Sequence, residues 1–507
     1  MSQSGADVLI VGAGPTGLTA GSELIRHGFS VRVIDSKPSP SRLSKALVLH
    51  ARTMEVFESM GMVDRVLDTG ERFVALNVHT HAKRPPVRID LLKRNWHDTR
   101  YPFWFSIPQC ETERCLVEHL ESLGVRVEWG TELRELSQHG NGVSARVTDA
   151  SGSTQELEAD WLLGCDGSQS RTRELTGIEM DYRPYGIEFA LADARADVDL
   201  GTGEGHVFPT KQGALMIAPT PTEGLFRLIA HVEKGAQLGI ADWAKLVFER
   251  TGLAFDIQDL AWHSHFRLGH GLAQRYRHER VFLLGDAAHV QSPVGGQGLN
   301  TGIQDAHDLA WRLATDKRAG GAEKLLDGYA TERRPFAERV IRYTSRATRM
   351  LAAPRAIRPF RNKLARRFLG FTVLQERFGR GIGMLDSRCG GSETLGDFSR
   401  PWVGRRLPNP LLWNGQRLHD RIDDLRHTAV DFDVVDDLDG AAAWPGPGLR
   451  FGEGGLPDPG GVVAGALGAR PGERWLVRPD RIVAEIGEPQ ALEAKFFREI
   501  GCPVAAL

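Results

Sequence analysis

Residues 7–35 read DVLIVGAGPTGLTAGSELIRHGFSVRVID. An apolar run ends at Gly12, three glycines follow in the pattern Gly12-x-Gly14-x-x-Gly17, and the next residues space their apolar side chains along one face of a helix. VRVID is then a second apolar strand, closed by an acid, Asp35. Strand, glycine turn, helix and strand make a βαβ unit, so the expected class is α/β with a Rossmann-like parallel sheet. The glycines allow a tight turn, close approach of a pyrophosphate, and close helix–strand packing. The helix N-terminus, opened by Pro15 and Thr16, offers N–H groups and positive potential to phosphates. Asp35, with Ser36 behind it, lies where an acid holds ribose hydroxyls, which suits a free 2′-OH, as in FAD or NAD.

Two more strand ends carry the same signature. In GCDGSQSRTR (164–173) a buried run ends on Asp166 followed by glycine. In LLGDAAHVQSPVGGQGLNTG (283–302) the run ends on Gly285 and Asp286, then Pro293 and three glycines (Gly295, Gly296, Gly298) precede Leu299, Asn300 and a helix expected from about residue 300. Bare amides at a helix mouth favour negative charge. A reduced flavin carries that charge on its N1–C2=O edge, and glycines let backbone touch the flat ring. Asp286 is placed to accept from sugar hydroxyls.

Around these motifs the chain divides. Short alternating runs between about 180 and 270 (IEFALADA, GHVFP, ALMIAP, FRLIAHV) read as an antiparallel sheet, and 322–380 is helical and rich in arginine. The expected organisation is a discontinuous dinucleotide-binding domain (1–180 and 271–395), a sheet domain (181–270) to which 71–105 contributes, and a C-terminal α/β domain (396–507). With 507 residues, 41% hydrophobic and 25% charged, the chain is globular and multidomain; its net charge of −2 gives no reason to expect nucleic acid or an anionic membrane as partner. The five cysteines form no CxxC and no metal spacing, so no metal is expected and the thiols are read as reduced. No apolar run reaches membrane length and no basic leader precedes VLIVGAG, so a cytoplasmic protein is expected.

GAGPTG, DG and GDAAH…P.GGQGLNTG, in this order, resemble the group A FAD-dependent aromatic hydroxylases of the para-hydroxybenzoate hydroxylase type, over about residues 5–395. That resemblance implies non-covalent FAD, NADPH or NADH as a transient co-substrate, and O2. It implies a C4a-hydroperoxyflavin that hydroxylates an aromatic substrate of phenolic or polyketide type. It puts Asp286 on the ribityl chain, and Pro293 with the backbone from Gly295 to Asn300 along the isoalloxazine, with Pro293, Gly296 and Gly298 nearest the chemistry. Asp166 serves both nucleotides, Gln109 in IPQCETERCL lies near the FAD sugar, and Arg52 in HARTMEVF lies near the cofactor. Lys45-Ala46 stands where the family usually has Arg-Ala, keeping the charge but not the planar fork. Asp308 stands where Asn is common. GRRLPNP and LVRPDRIVAE resemble the redox-inactive thioredoxin-like domain of the larger members, a structural or homodimer-forming addition. The substrate is expected between the flavin and the sheet, against Phe208, Met216, Pro219 and Phe226, with residues 103–105 opposite; His289 reads as structural. The alternative is a protein of the same fold that uses FAD as a scaffold for a non-oxidative rearrangement or cyclisation.

Overall fold

The computed structural model describes residues 5–41, 44–80, 84–92, 96–198, 200, 201, 203–210, 212–351, 357–369, 371–386, 388, 389, 402–434, 446–452 and 455–492. The expected domain boundary at 395/396, and Cys502, lie outside them. The first sheet is built around Gly5–Val11. It runs Val281–Leu283, Thr154–Gly164, Gly5–Val11, Val31–Asp35, Val127–Trp129, all parallel, with an antiparallel extension through Gly142–Thr148 and Glu132–His139. Helices Pro15–Arg26 and Gln297–Ala319 cover one face. The core strands are apolar on both faces, as a sheet covered on both sides requires. The chain reverses its winding direction beside Gly5–Val11, where open parallel sheets form their ligand crevice.

A second sheet of eight strands carries the long pair Met180–Asp197 and Asp256–Ala273, then Leu225–Val232, Ala214–Pro219 and Glu204–Pro209. Ala75–Val78 and Val87–Asp90 extend it. Asp256–Ala273 runs past residue 270 and pairs with His289–Val290, so the sheet reaches the second glycine-rich segment. One face is covered by helix Ile240–Thr251, which the sequence reading missed; Trp243 and Val247 pack there on Ala190, Ala192 and Leu228. On the other face Ala218 packs with Leu47, Trp104 and Ile382.

In the C-terminal unit the order is Gly448–Phe451, Thr428–Phe432, Glu473–Val477, Val483–Gly487, with the first pair parallel and the rest antiparallel, the arrangement of a thioredoxin-like sheet. Its described residues contain no cysteine. A buried ionic cluster joins it to the first unit. Arg478 donates to Asp308 (2.6 Å), Glu332 (2.7 Å) and Asp480 (2.5 Å), and Arg312 also pairs with Asp308 (2.9 Å) and Glu332 (2.9 Å). The carboxylate of Asp308 thus has a purpose an amide could not serve: it faces two guanidinium groups.

Candidate active site

Four strands of the parallel sheet end at one edge, and each ends on a motif residue: Gly12, Asp35, the Asp166 turn and the Gly285–Asp286 turn. Their glycines do different work. A Cβ on Gly12, whose φ is +106°, would stand 2.4 Å from the Cys165 carbonyl oxygen, and one on Gly17 would stand 1.9 Å from that of Gly12. These two are bare because backbone passes against backbone. A Cβ on Gly14 would meet nothing within 4 Å. Gly14 caps Pro15–Arg26 without any side-chain bond, so it opens a space onto free helix N–H groups. Asp35 closes the turn, accepting from the N–H of Ala13 (2.7 Å) and of Lys37 (2.8 Å). Ser36 beside it is exposed.

Thr16 knits the first turn to the third, because a Cβ on Gly285 or on Gly302 would lie 2.6 or 2.3 Å from its Oγ1. Arg173 ties the second turn to the third by donating to the Ala287 carbonyl (3.0 Å). Asp166 spends its carboxylate locally, on Ser170 Oγ (2.5 Å) and Thr172 N–H (2.8 Å), fixing the start of helix Arg171–Leu175. Asp286 differs from all of these. It has no protein hydrogen-bond partner among the described residues, is open to solvent, and yet is hemmed in by protein, as on the wall of a cleft. Desolvation pushes its carboxyl up, opposed by His289 and Lys45.

The glycine-rich loop is held from beneath. Pro293 is exposed and its carbonyl accepts from Gly296 N–H (2.9 Å), closing a turn. Gly295 and Gly296 take φ of +85° and +62°, a region closed to most side chains. The helix begins at Gln297, not near 300, so Gly298, Leu299 and Asn300 form its first turn, with Gly296 as an N-cap that supplies no side chain. Gly298 is helical and faces open room, its nearest neighbours to a Cβ being Gln291 (3.7 Å) and Asp286 (4.0 Å). The Asn300 side chain is committed to structure. It accepts from His50 N–H (2.9 Å) and Thr53 Oγ1 (2.7 Å) and donates to the carbonyls of Val48 (2.9 Å) and Gly296 (2.7 Å). His289 is buried on Asp305 (2.6 Å), which also receives Arg333 (2.7 Å). Burial pushes the Asp305 carboxyl up, but Arg333 and His289 more than offset it and hold it low.

Other expected residues scatter. Gln109 accepts from Ala46 N–H (3.2 Å) and holds the Lys45–Ala46 segment, with exposed Lys45 beside it. Arg52 turns away: it is buried on Glu55 (3.1 Å) and the Asp480 carbonyl, an interdomain tie rather than part of the cleft. Phe208 and Phe226 also face elsewhere. They pack with Trp243 and Val247 under the sheet's own helix, and Pro219, paired directly with Phe226, shares that face. Only Met216 of the four shares the inner face, beside Ala218, which packs with Leu47, Trp104 and Ile382. Opposite, Trp104 takes this position while Phe103 and Phe105 point into the main core. Sequence reasoning missed Arg227, clamped to Asp193 (2.8 and 2.7 Å) and donating to the Ala46 carbonyl (3.0 Å). It also missed His50 and Gln297, both of which bond to the Gly295 carbonyl. An arginine amid the apolar run LFRLIAHV was the available signal for the first.

A family model described as an FAD binding domain matches residues 5–344. The chain belongs to the group A FAD-dependent aromatic hydroxylases. It is 36% identical over 359 residues to the 6-methylpretetramide 4-monooxygenase of Streptomyces rimosus, covering 70% of this chain and 64% of that one. Along nearly its full length (96% of each chain) it superposes on an anhydrotetracycline hydroxylase structure from Streptomyces rimosus with 30% identity and a TM-score of 0.76. It also matches the Diels-Alderase PyrE3 of pyrroindomycin biosynthesis (26% identity, TM-score 0.76, 98% of this chain and 99% of that one). The residues of this hydroxylase fit FAD: Gly14 leaves a cradle that a Cβ would narrow, two helix mouths offer uncapped N–H groups, and Asp286 is an unpartnered acceptor between them. Among the described residues no helix is long and apolar enough to cross a membrane, and no cluster of metal-ligating side chains occurs.

Proposed function

We propose that this chain is an NAD(P)H- and O2-dependent monooxygenase that hydroxylates a small aromatic molecule of phenolic or polyketide type. The observation that carries the reading is the convergence of an open glycine cradle, an unpartnered Asp286 and an uncapped helix mouth on one sheet edge, facing the inner side of a large antiparallel sheet. In this reading Gly14 with the Pro15 helix mouth and Lys45 hold the pyrophosphate, Asp35 the adenosine ribose, and Asp286 the ribityl chain. The amides of Gln297, Gly298 and Leu299 hold the electron-rich edge of the ring. When bound, FAD supplies hydride acceptance from NAD(P)H and activation of O2. The protein's part is to orient the ring, lend positive potential where charge gathers, and keep water out.

The aromatic substrate lies against Met216, Ala218, Trp104 and Leu47, with Pro293 at the rim. Arg227, neutralised by Asp193, steadies that wall rather than presenting a free cation. The enzyme works in the cytoplasm, where NAD(P)H is supplied, and its size by light scattering tests the expected dimer. The test of function is NAD(P)H oxidation by the yellow holoprotein against a panel of phenols and fused-ring aromatics, with 18O2 and mass analysis of products. Incorporation of one 18O atom is expected. The likeness to a Diels-Alderase favours one alternative, FAD as a scaffold for cyclisation. Product formed anaerobically without NAD(P)H would establish that alternative and remove the first.

A further inference from the structure

We infer that His50 is a positioning residue for the flavin: its ring holds the Gly295 carbonyl and so fixes the Pro293–Gly296 turn that sets the mouth of helix Gln297–Ala319 against the ligand. This inference rests on the FAD site proposed above. A trans peptide points its C=O and N–H in opposite directions, so whatever anchors the carbonyls of a loop aims its N–H groups. The carbonyls of Gly295 and Gly296 are both anchored on the protein side. His50 Nε2 donates to Gly295 O (2.8 Å), assisted by Gln297 Nε2 (3.1 Å), and Asn300 Nδ2 donates to Gly296 O (2.7 Å). The first peptide plane sends Gly296 N–H to the Pro293 carbonyl (2.9 Å), and the second leaves Gln297 N–H facing away from Asn300. Gly295 and Gly296 are the two residues of the loop at positive φ, and bare glycine backbone does not hold such planes by itself.

The tautomer of His50 follows from its partner. The Gly295 carbonyl only accepts, and the other neighbour of Nε2, Gln297 Nε2 (3.2 Å), spends its two protons on the carbonyls of Gly295 and Ile382, so His50 Nε2 carries the proton and Nδ1 is a bare acceptor. Nδ1 is buried and without a hydrogen-bond partner, and the ring stands edge-on to Trp104 at 5.9 Å. Burial lowers the imidazole to about 4, so it remains this neutral donor throughout the working range. His50 itself does not reach into the cleft, and no proton transfer is assigned to it.

The claim is specific to one donor at one distance, and glutamine can supply it: the Gln side-chain nitrogen reaches where Nε2 stands, while that of asparagine falls short. The probes are FAD affinity of the apoprotein by flavin fluorescence, the visible spectrum of the bound flavin, and melting of the apoprotein. H50Q is expected to match the parent in all three. H50N and H50L are expected to bind FAD about five- to tenfold more weakly, the scale of one lost hydrogen bond, with a shifted flavin spectrum and more hydrogen peroxide per NAD(P)H. Competition by ADP should be unchanged, because the adenine half is held by another part of the chain. Parental affinity and spectrum in H50N or H50L would overturn the inference, and so would an H50Q as impaired as H50N. If H50N and H50L do not fold, H50Q alone decides by the same criterion. If the parent itself binds no FAD, the underlying site assignment fails, which is a different result from a parent that binds FAD and ignores His50.

Discussion

The cleft edge and the interdomain seam treat polar groups in opposite ways. At the seam, Asp308, Glu332 and Asp480 are matched by Arg312 and Arg478, and every one of these charges is buried. At the cleft edge the helix mouths at Gly14 and Gly296 are capped by nothing, and Asp286 is left without a partner. A charge saturated inside the protein is architecture. A polar group kept in reach and left unsatisfied belongs to a ligand. Counting charged residues would have pointed to the seam; counting unmet hydrogen-bonding capacity points to the cleft.

The strongest way to break this contrast is to leave the seam unsatisfied as well. R478M removes a guanidinium shared by three buried carboxylates, and removing one partner of a buried pair costs about 3–5 kcal/mol. Chemical denaturation should show that loss, while whatever protein remains folded binds FAD as the parent does. A parental denaturation midpoint would mean the seam is not the interior it resembles. Next comes the division between the sheet's two faces. F208A should cost about 3 kcal/mol, as for a large buried aromatic, without changing KM for substrate. M216A should change KM and leave stability nearly alone. An exchange of these outcomes would invert the assignment of the faces.

D286A probes the unsatisfied side of the comparison. A charge-assisted bond to a sugar hydroxyl is worth about 1.5–3 kcal/mol, so FAD affinity should fall by about one to two decades. The apoprotein should not be destabilised, because Asp286 has no protein hydrogen-bond partner among the described residues to lose. Unchanged FAD retention would remove Asp286 from the site. A further test is in acid. Burial lowers His50 to about 4 and His427 to about 3, whereas an unfolded histidine titrates near about 6.5. The unfolded chain binds more protons in that interval, so stability is full above about pH 6.5 and declines toward pH 4 by up to about 1.4 kcal/mol per pH unit for each such histidine. The slope in H50Q should be shallower than in the parent, which melting followed across this pH range would reveal.

The parts of this molecule that could be read from sequence are those whose cause is local. Gly17, crowded by the Gly12 carbonyl, and Gly12 and the 295–296 pair, at positive φ, are glycines for reasons that lie with the motif in the chain, although Gly12 also passes against Cys165. The parallel sheet followed from the same segments. What could not be read depends on distant partners. Arg52 answers a carbonyl 428 residues away, and no periodicity announces that. The substrate-wall residues failed on parity. Alternation showed that two faces existed, but both carry apolar side chains here, one against the helix Ile240–Thr251 and the other against Leu47, Trp104 and Ile382. Missing that helix left unseen that Phe208, Pro219 and Phe226 lie on the face it covers, not on the one proposed to meet the substrate. Arg227, bonded across to Ala46, marks the inner face once its partner is known.

Gln297 also donates to the carbonyl of Ile382, the last residue of helix Thr372–Ile382 (3.1 Å), while Ile382 lines the apolar wall beside Trp104 and Ala218. The proposed seat of the flavin and the proposed substrate wall therefore share a bolt. A chimera that imports the 357–385 region from a relative with different substrate taste inherits the donor's setting of that bolt as well, and will misplace the ring unless 293–300 travels with it. In this scaffold, specificity and coupling are exchanged as a pair.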